Sequence, residues 1–241
     1  MMVHSMLKWL LAGSILALSF SCNPRLANGL RKKDLHKDVE MTTSRGVILL
    51  RLSDSTHLHR DNFLLLVKKG YYDSVLFHRV IQRFMIQAGD PDSRQGHPGK
   101  PLSQGGEGGP GYTIPAEFRS SLFHKRGALA AARTSDDVNP RKASSGSQFY
   151  IVQGRVFTDA GLDSVETFRL KGRKLPAAQR EVYKQIGGAP HLDQNYTVFG
   201  EVIKGMDVVD SIAASPTSGR PLDRPLKDIH ILKMKLVRRL K

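Results

Sequence analysis

Short apolar segments bounded by turn residues recur through most of the chain, and this pattern restricts the fold more than any other feature. Such runs predict β-strands, which are short and enriched in apolar and β-branched residues. We predict strands at residues 40–43, 47–52, 75–80, 84–88, 127–132, 148–153, 197–202 and 229–236. Two principal helices are expected, at residues 60–69 and 206–212. Many strands with few helices favour a β-barrel or sandwich over a parallel α/β sheet.

Residues 158–188 differ from this pattern and predict a helical insertion in a β domain. The first helix would begin at a cap formed by Thr158 or Asp159 and run to about residue 171. Its apolar positions recur at three-residue spacing: Leu162, Val165 and Phe168. A second helix would have Pro176 in its first turn. Its apolar positions recur at every fourth residue: Ala178, Val182 and Ile186. The insertion could be a lid on the barrel or a docking site for a partner.

The first 21 residues have the anatomy of a signal peptide. Lys8 precedes an uncharged apolar run over residues 9–20, and small residues follow it. As a helix this run would rise about 18 Å, short of the roughly 30 Å hydrocarbon core, so a permanent membrane span is not expected. Residues 22–38 are rich in Lys and Arg and predict a basic tether. The tether would be a solvated linker or a segment that touches anionic lipid.

Cys22 is the only cysteine, which excludes an intramolecular disulfide and a Cys-rich zinc site. It lies where the signal peptide would be cleaved. Residues 18–22 resemble a loose bacterial lipobox in which Phe20 is an imperfect match. We therefore expect an exported protein whose Cys22 carries a lipid that holds it at the inner or outer membrane, in the cell envelope or periplasm. Ordinary secretion with an incidental thiol is the alternative.

The chain is strongly basic. It has 37 Lys and Arg against 22 Asp and Glu in 241 residues, a formal net charge of +15. Such a surplus favours acidic partners. No nucleic-acid recognition motif accompanies the charge, so the pattern favours an anionic envelope surface or acidic client proteins, and nucleic acid is not a predicted partner.

Five ordered motifs carry a family resemblance. Residues 77–90 read FHRVIQRFMIQAGD, and the later motifs are GGPGYTIPAEF at 108–118, GALAAAR at 127–133, GSQFYIV at 146–152 and LDQNYTVFGEV at 192–202. Together they resemble the signature of the cyclophilin-type peptidyl-prolyl cis-trans isomerases, and we place the domain at residues 39–238. The resemblance implies a mainly β fold: a closed eight-stranded antiparallel barrel capped by two helices. It also implies an enzyme that requires no cofactor.

Arg79 is the candidate catalytic residue. Rotation about an X-Pro bond crosses a barrier of roughly 18–20 kcal/mol because it breaks the amide resonance. A cation that donates a hydrogen bond to the proline nitrogen would stabilise the twisted amide more than either planar form. Arginine is always charged and has several fixed donors, so no proton transfer is needed. The alternative is an arginine that pairs with a core carboxylate.

The resemblance implies roles for further residues. Gln87 would hydrogen-bond the substrate near the rotating bond. His78 would form part of the pocket wall and could orient the substrate, whereas an acid or base role has no proton to move. Ala132 and Arg133 would pair with substrate backbone. The full set of substrate-binding positions is Phe84, Met85, Ala132, Arg133, Gln148, Tyr150, His191, Leu192 and Tyr196.

Four of these positions depart from the residues common in the family. Arg133 stands in place of Asn, Tyr150 in place of Phe, His191 in place of Trp and Tyr196 in place of His. The hydroxyl that Tyr150 adds needs a partner or water if it is buried. Because the Trp position contributes to cyclosporin binding in the family, we expect weak cyclosporin sensitivity.

The predicted function is isomerisation of X-Pro bonds in unfolded or flexible cell-envelope polypeptides. The alternative is a cyclophilin-fold binding module or chaperone that captures proline-containing segments and turns them over poorly. A metal site is not predicted, because His57 and His59 have no evident third ligand. The glycine-rich residues 105–111 lack a P-loop ending and predict a surface loop beside the site.

Overall fold

A computed structural model describes residues 29–94 and 108–240 of the chain. The predicted signal peptide, the lipidation site Cys22 and the first part of the tether lie outside the described residues. Within the described ranges, no helix combines the length and the apolar character needed to cross a bilayer.

The described residues form eleven β-strands. The strands are β1 Lys37–Thr43, β2 Gly46–Leu52, β3 Val75–Leu76, β4 Arg79–Ile81, β5 Met85–Ala88, β6 Thr113–Ile114, β7 Ala128–Ala131, β8 Ser144–Ser145, β9 Phe149–Val152, β10 Val198–Lys204 and β11 His230–Arg238. Nine of them make one antiparallel sheet in the order β3-β11-β1-β2-β10-β7-β9-β5-β4, and β6 pairs with β8 separately. The mainly β prediction is confirmed.

The sheet is curled and open, with β3 and β4 at its two ends. Residues 75–80 were predicted as one strand, but Phe77 and His78 separate β3 from β4. The strand breaks here because the residues before and after the break form backbone hydrogen bonds with different segments of the chain. The Phe77 N–H donates to Ile229 O at 2.9 Å, and the Val80 N–H donates to Asp223 O at 2.8 Å. A closed barrel of eight hydrogen-bonded strands is therefore not confirmed.

In the part of the chain that the structure describes, four α-helices accompany the sheet: α1 His57–Lys68, α2 Asp159–Ser164, α3 Ala177–Gln185 and α4 Met206–Ala213. Helices α1 and α4 are the two principal helices predicted from the sequence. Helix α1 buries Phe63, Leu66 and Val67. The ring of Phe63 contacts the rings of Tyr72, Phe149 and Phe199 at centroid distances of 5.1, 5.3 and 5.3 Å. The chain leaves α1 through Gly70, whose positive φ of 66° suits glycine.

Alternate residues of the central strands serve two different clusters. In β9, Phe149 and Ile151 pack into the main core, whereas Tyr150 and Val152 belong to a second cluster on the opposite face. Strand β7 divides in the same way, with Leu129 in the main core. Because both faces are covered, these strands are apolar throughout, as the motifs GALAAAR and FYIV show. The second cluster forms the base of the site described below.

The insertion forms both predicted helices, but their buried faces differ from the prediction. Thr158 caps α2 by accepting a hydrogen bond from the Gly161 N–H at 3.1 Å, and α2 continues into a π-helical turn at Val165–Arg169. A π turn adds a residue to the turn and shifts the register. Leu162 and Val165 are buried as expected, whereas Phe168 is 77% exposed.

Helix α3 buries Tyr183. The prediction that Ala178, Val182 and Ile186 form its apolar, buried face is wrong. Ile186 is 47% exposed. The Tyr183 hydroxyl donates to the carboxylate of Asp193 at 2.7 Å, which accounts for the inward orientation of this residue.

Residues 30–38 are part of the folded domain, so the predicted tether over 22–38 is wrong for this portion. Lys32–His36 form a 3-10 turn, and β1 begins at Lys37. Asp34 is buried and accepts a hydrogen bond from Lys68 of α1 at 2.8 Å. Asp38 is buried and binds two nitrogens of Arg51 at 3.0 and 2.9 Å. Buried carboxylates of this kind need fixed partners, which a solvated linker would not provide.

Candidate active site

A pocket of about 310 Å³ opens on the face of the sheet that carries the second apolar cluster. It brings together residues from β4, β5 and β9, from the end of β7 and from the segment before β10. Ten of the twelve predicted site residues line it: His78, Arg79, Phe84, Met85, Gln87, Ala132, Arg133, Tyr150, Leu192 and Tyr196. We call this cavity the proline pocket.

Arg79 lies at the start of β4, directly opposite Gln87 in the β4–β5 pair. Its side chain is 40% exposed, and its Nε lies 3.6 Å from Oδ2 of Asp223. That distance exceeds a hydrogen bond, so the guanidinium keeps its donors available. Within the described residues, none of these donors is used in a hydrogen bond to the protein. The alternative was an arginine paired with a core carboxylate, and it applies only in part. Asp223 lies close enough to orient Arg79 but accepts no hydrogen bond from it.

Gln87 is held by a short chain of amide groups. Its Nε2 donates to Oε1 of Gln148 at 3.2 Å, and Nε2 of Gln148 donates to Gly108 O at 2.9 Å. Gln148 lines the adjoining cavity of about 670 Å³ instead of the proline pocket. Gly108, Gly109 and Gly111 of the predicted glycine-rich loop line the same cavity, and residues 105–107 lie outside the described residues. Gln148 thus acts on the pocket by orienting Gln87.

His78 is buried in the pocket wall. Burial lowers its pKa to about 4; the negative charge of Asp90 opposes this shift, and the positive charge of Arg79 adds to it. Neither ring nitrogen has a hydrogen-bond partner among the described residues. An imidazole with this pKa is neutral at physiological pH and a weak base, so its place in the pocket lining fits a wall role better than proton transfer.

The base of the pocket is apolar. Met85, Ala132 and Tyr150 belong to the second cluster, and Phe84 and Leu192 pack against it. Rings and methyl groups at this position can enclose a proline ring without offering competing hydrogen bonds.

The Tyr150 hydroxyl enters a buried polar network beneath the pocket. A hydrogen bond of 2.9 Å joins it to Nε2 of His124, and Nδ1 of His124 lies 2.9 Å from Oδ1 of Asp193. The other oxygen of Asp193 accepts the Tyr183 hydroxyl. All four residues are buried, and burial raises the pKa of Tyr150 well above its usual value. We call this set the Tyr150 network.

The Tyr150 network supplies the partner that a buried hydroxyl requires. A carboxylate can only accept hydrogen bonds, which assigns a proton to Nδ1 of His124. In the neutral ring, Nε2 then accepts the Tyr150 hydroxyl. Sequence reasoning missed His124 and Asp193. Asp193 directly follows a motif leucine, and His124 stands three residues before the GALAAAR motif, but neither position carries a signal that would pair it with Tyr150.

Arg133 and Tyr196 form one edge of the pocket. The guanidinium of Arg133 lies 4.4 Å from the ring centroid of Tyr196, and its Nε donates to Asn195 O at 2.8 Å. The backbone groups of Ala132 are occupied, because its N–H donates to Gln148 O and its carbonyl accepts from Ser145 N. Pairing of Ala132 with substrate backbone is therefore not supported, whereas its place in the pocket lining leaves its role in substrate binding a prediction. Arg133 keeps both backbone groups available within the described part of the chain.

The structure adds pocket residues that no motif indicated. Pro221, Leu222 and Arg224 line the proline pocket from the loop before β11. His191 lies outside the pocket, in an adjoining groove, where its ring is 5.3 Å from that of Phe84. Burial lowers the pKa of His191 to about 4, and the positive charge of Arg169 acts in the same direction. Weak cyclosporin sensitivity stays a prediction.

Both histidines that were considered as metal ligands, His57 and His59, lie beside the carboxylate of Glu117. His59 lies on α1 and not on a strand, and its Nδ1 is 2.7 Å from Oε2 of Glu117. His57 lies 3.5 Å from the other oxygen of Glu117. In residues 29–94 and 108–240, no group of three or more His, Cys, Asp or Glu side chains is placed to hold a metal ion.

Known proteins match this chain in sequence and in fold. The family model described as cyclophilin type peptidyl-prolyl cis-trans isomerase/CLD matches residues 38–236. A protein of Staphylococcus saprophyticus named as a peptidyl-prolyl cis-trans isomerase is 35% identical over 198 residues, which cover 82% of this chain and 90% of that protein. The chain therefore belongs to the cyclophilin-type peptidyl-prolyl cis-trans isomerases, and its activity is isomerisation of peptidyl-prolyl bonds.

Solved structures agree at the level of the fold. A crystal structure of a Cryptosporidium parvum cyclophilin-type isomerase has a TM-score of 0.60 and 22% identity, and covers 85% of this chain and 99% of that one. The same protein crystallised in the presence of the dipeptide Ala-Pro has a TM-score of 0.59 and 23% identity, with 83% and 98% coverage.

Proposed function

We propose that Arg79 catalyses the isomerisation by donating a hydrogen bond to the proline nitrogen as the amide twists. The observation that carries this proposal is the position of Arg79. Its guanidinium lines the proline pocket beside the apolar base, it faces Asp223 at 3.6 Å, and its donors are not used by described residues. A fixed cation next to an apolar pocket stabilises developing electron density on nitrogen more than it stabilises a planar amide.

The remaining polar groups of the pocket orient the substrate. Gln87 is positioned by Gln148 to hydrogen-bond the substrate near the rotating bond. Arg133 offers its backbone N–H and carbonyl as a short edge for an extended peptide. The dipeptide Ala-Pro in the related Cryptosporidium parvum structure supports a proline-containing ligand for this fold. The lowered pKa of His78, about 4, makes its imidazole a weak base and leaves almost no acid form at neutral pH, which argues against a route through proton transfer.

An exchange assay tests the role of Arg79. Cis and trans signals of an X-Pro peptide are followed by NMR exchange with wild type, Arg79→Ala and Arg79→Lys. We expect Arg79→Ala to lose about 10²–10³-fold in kcat/KM, the range seen when one preorganised donor to a transition state is removed. Arg79→Lys should recover part of this loss, because it restores the charge without the planar donors.

Asp223→Asn provides the matched control for Arg79. It keeps the shape of the neighbouring side chain and removes its charge, so it should change the rate less than Arg79→Ala. A wild-type protein that binds the peptide without accelerating exchange would favour the alternative of a weak binding module. Full activity in Arg79→Ala would refute the proposed mechanism.

We further propose that the enzyme acts on exported polypeptides in the cell envelope, held there through a lipid on Cys22. The support is the apolar run at residues 9–20 followed by the chain's sole cysteine at the expected cleavage position. Stable anchoring by lipid needs two or more acyl chains. Mass spectrometry of the mature N-terminus tests this step. A start at diacylglyceryl-modified Cys22 is expected, and an unmodified start elsewhere would refute it.

A further inference from the structure

A groove of about 850 Å³ adjoins the proline pocket, between the helical insertion and the loop that precedes β11. It shares Arg79, Phe84 and Pro221 with the pocket, so the two cavities are continuous. We call it the arginine groove after five of the side chains that line it: Arg79, Arg83, Arg155, Arg169 and Arg220. Among the described lining residues, Asp223 is the acidic one.

Among the described residues, a carboxylate offsets the positive charge of the arginine groove at Arg79 alone. Asp223 faces Arg79. The other four guanidinium groups form no ion pair with a described residue, and Arg155 instead lies 4.5 Å over the ring of Phe157. Arginines elsewhere in the described chain commonly have carboxylate partners, as Arg51, Arg126 and Arg180 do. Like charges gathered in a concave surface focus a positive potential that attracts anions.

The lining also suits a polypeptide. Phe168 reaches the groove from the π turn of the insertion and is 77% exposed, an unusual position for a large aromatic side chain in water. Ile81 and Val165 extend the apolar surface. Apolar contacts next to guanidinium groups fit a peptide with carboxylate and apolar side chains better than they fit a small inorganic anion.

We propose that the arginine groove binds carboxylate side chains of the substrate polypeptide while the nearby proline occupies the proline pocket. The enzyme therefore prefers X-Pro bonds in acidic segments. This inference rests on the proposed isomerase function, because the groove acts on a chain that the pocket holds. It gives the insertion a role in substrate selection, since Phe168 and Arg169 come from it.

The test compares two matched peptides. Both contain one X-Pro bond, and one carries Glu a few residues before or after the proline where the other carries Gln. In the NMR exchange assay at low salt, we expect the Glu peptide to have about a five- to tenfold higher kcat/KM, because several partly exposed guanidinium groups act together. The ratio should fall towards one as added salt screens the charges.

Charge-removing variants assign the effect to the groove. The double variant Arg155→Gln/Arg169→Gln should bring the ratio of the two kcat/KM values towards one. Arg45→Gln is the control, because Arg45 is exposed in the β1–β2 turn and this substitution removes an arginine charge outside the groove. It should leave the ratio unchanged. A wild-type ratio near one, or an equal fall in Arg45→Gln, would overturn the proposal.

Two further outcomes distinguish the proposal from a failure of the isomerase function and from binding of the groove to a membrane. If the wild type accelerates neither peptide, the isomerase function fails, and titration calorimetry with the same peptides still shows whether the groove prefers Glu. If the double variant loses binding to anionic phospholipid vesicles while the peptide ratio stays near one, the groove binds a membrane surface. That result would also overturn the proposal.

Discussion

The proline pocket and the arginine groove lie side by side and share Arg79. They differ in whether their polar groups have hydrogen-bond or ion-pair partners inside the protein. Beneath the pocket, Tyr150, His124 and Asp193 satisfy one another in a buried network. In the groove, four guanidinium groups have no carboxylate partner within the described chain. Water cannot reach the network, so each of its groups must be paired by the protein. The guanidinium groups stay hydrated at little cost, which keeps them available for a ligand.

This difference separates what holds the site in place from what can select a substrate. Groups whose partners lie inside the protein contribute to stability, and their loss leaves another buried group unpaired. Groups whose partners are water contribute little to stability and can exchange that water for substrate. The variants below test this division.

The largest effect on stability is expected for His124→Ala. The change removes the imidazole that bonds the Tyr150 hydroxyl and Oδ1 of Asp193, while the Tyr183 hydroxyl and the backbone N–H of residue 124 still bond the carboxylate. The unpaired hydroxyl and the cavity left by the ring should together cost about 2–4 kcal/mol in the free energy of unfolding. Denaturant unfolding followed by circular dichroism measures it. Tyr150→Phe removes one hydroxyl and should lose about 1–2 kcal/mol. A loss below about 1 kcal/mol for His124→Ala would show that the Tyr150 network does not support the pocket.

An intermediate and pH-dependent effect is expected for Glu166→Gln in the insertion. Glu166 is buried and, although burial opposes it, hydrogen bonds from Lys174, the Leu175 N–H and Arg180 lower its pKa to about 2. A carboxyl whose pKa is lower in the folded than in the unfolded state stabilises the fold above its unfolded pKa. That contribution is lost as the pH falls from about 4.5 towards 2.

The unfolding free energies of wild type and Glu166→Gln should therefore differ by roughly 1–3 kcal/mol at pH 7 and converge near pH 2. Glu181→Gln is the control, because this exposed carboxylate on α3 pairs with Lys184 alone and should change stability little at either pH. A constant difference between wild type and Glu166→Gln at all pH values would contradict the assignment.

The smallest effect is expected for Arg169→Gln. With no carboxylate partner to lose, this groove variant should change the free energy of unfolding by less than about 0.5 kcal/mol. Thermal unfolding beside wild type measures the shift. Destabilisation beyond about 1 kcal/mol would mean that Arg169 has a partner inside the protein. The groove would then not differ from the Tyr150 network in the way described above.

Most of the candidate site residues meet at one cavity because their motifs are local. Arg79 of the FHR segment begins β4, the FMIQ segment enters β5 at Met85, and the antiparallel pairing of these two strands puts Arg79 opposite Gln87. Period-two alternation then sends Met85 and Gln87 to the pocket face and Ile86 to the core. Spacing along one hairpin was enough for this part of the site.

Other features depended on contacts that spacing does not encode. The face of α3 was predicted from its aliphatic stripe, but Tyr183 is buried because Asp193, on another segment, accepts its hydroxyl. The exposure of Phe168 follows from a π turn that the three-residue spacing did not indicate. Loop residues 221–224 reach the pocket from more than a hundred positions along the chain beyond Arg79, and no motif marks them.

The sequence by itself determined the family, the apolar pocket residues and the arginine that can act on a twisted amide. These follow from motifs whose chemistry is read from neighbouring residues. The tertiary structure alone decided which partners the buried polar groups have and where the unpaired charges gather. His124 and Tyr150 lie 26 residues apart, and the groove arginines come from four separate segments. Burial and charge depend on which distant segments pack together, and that is settled only when the chain folds.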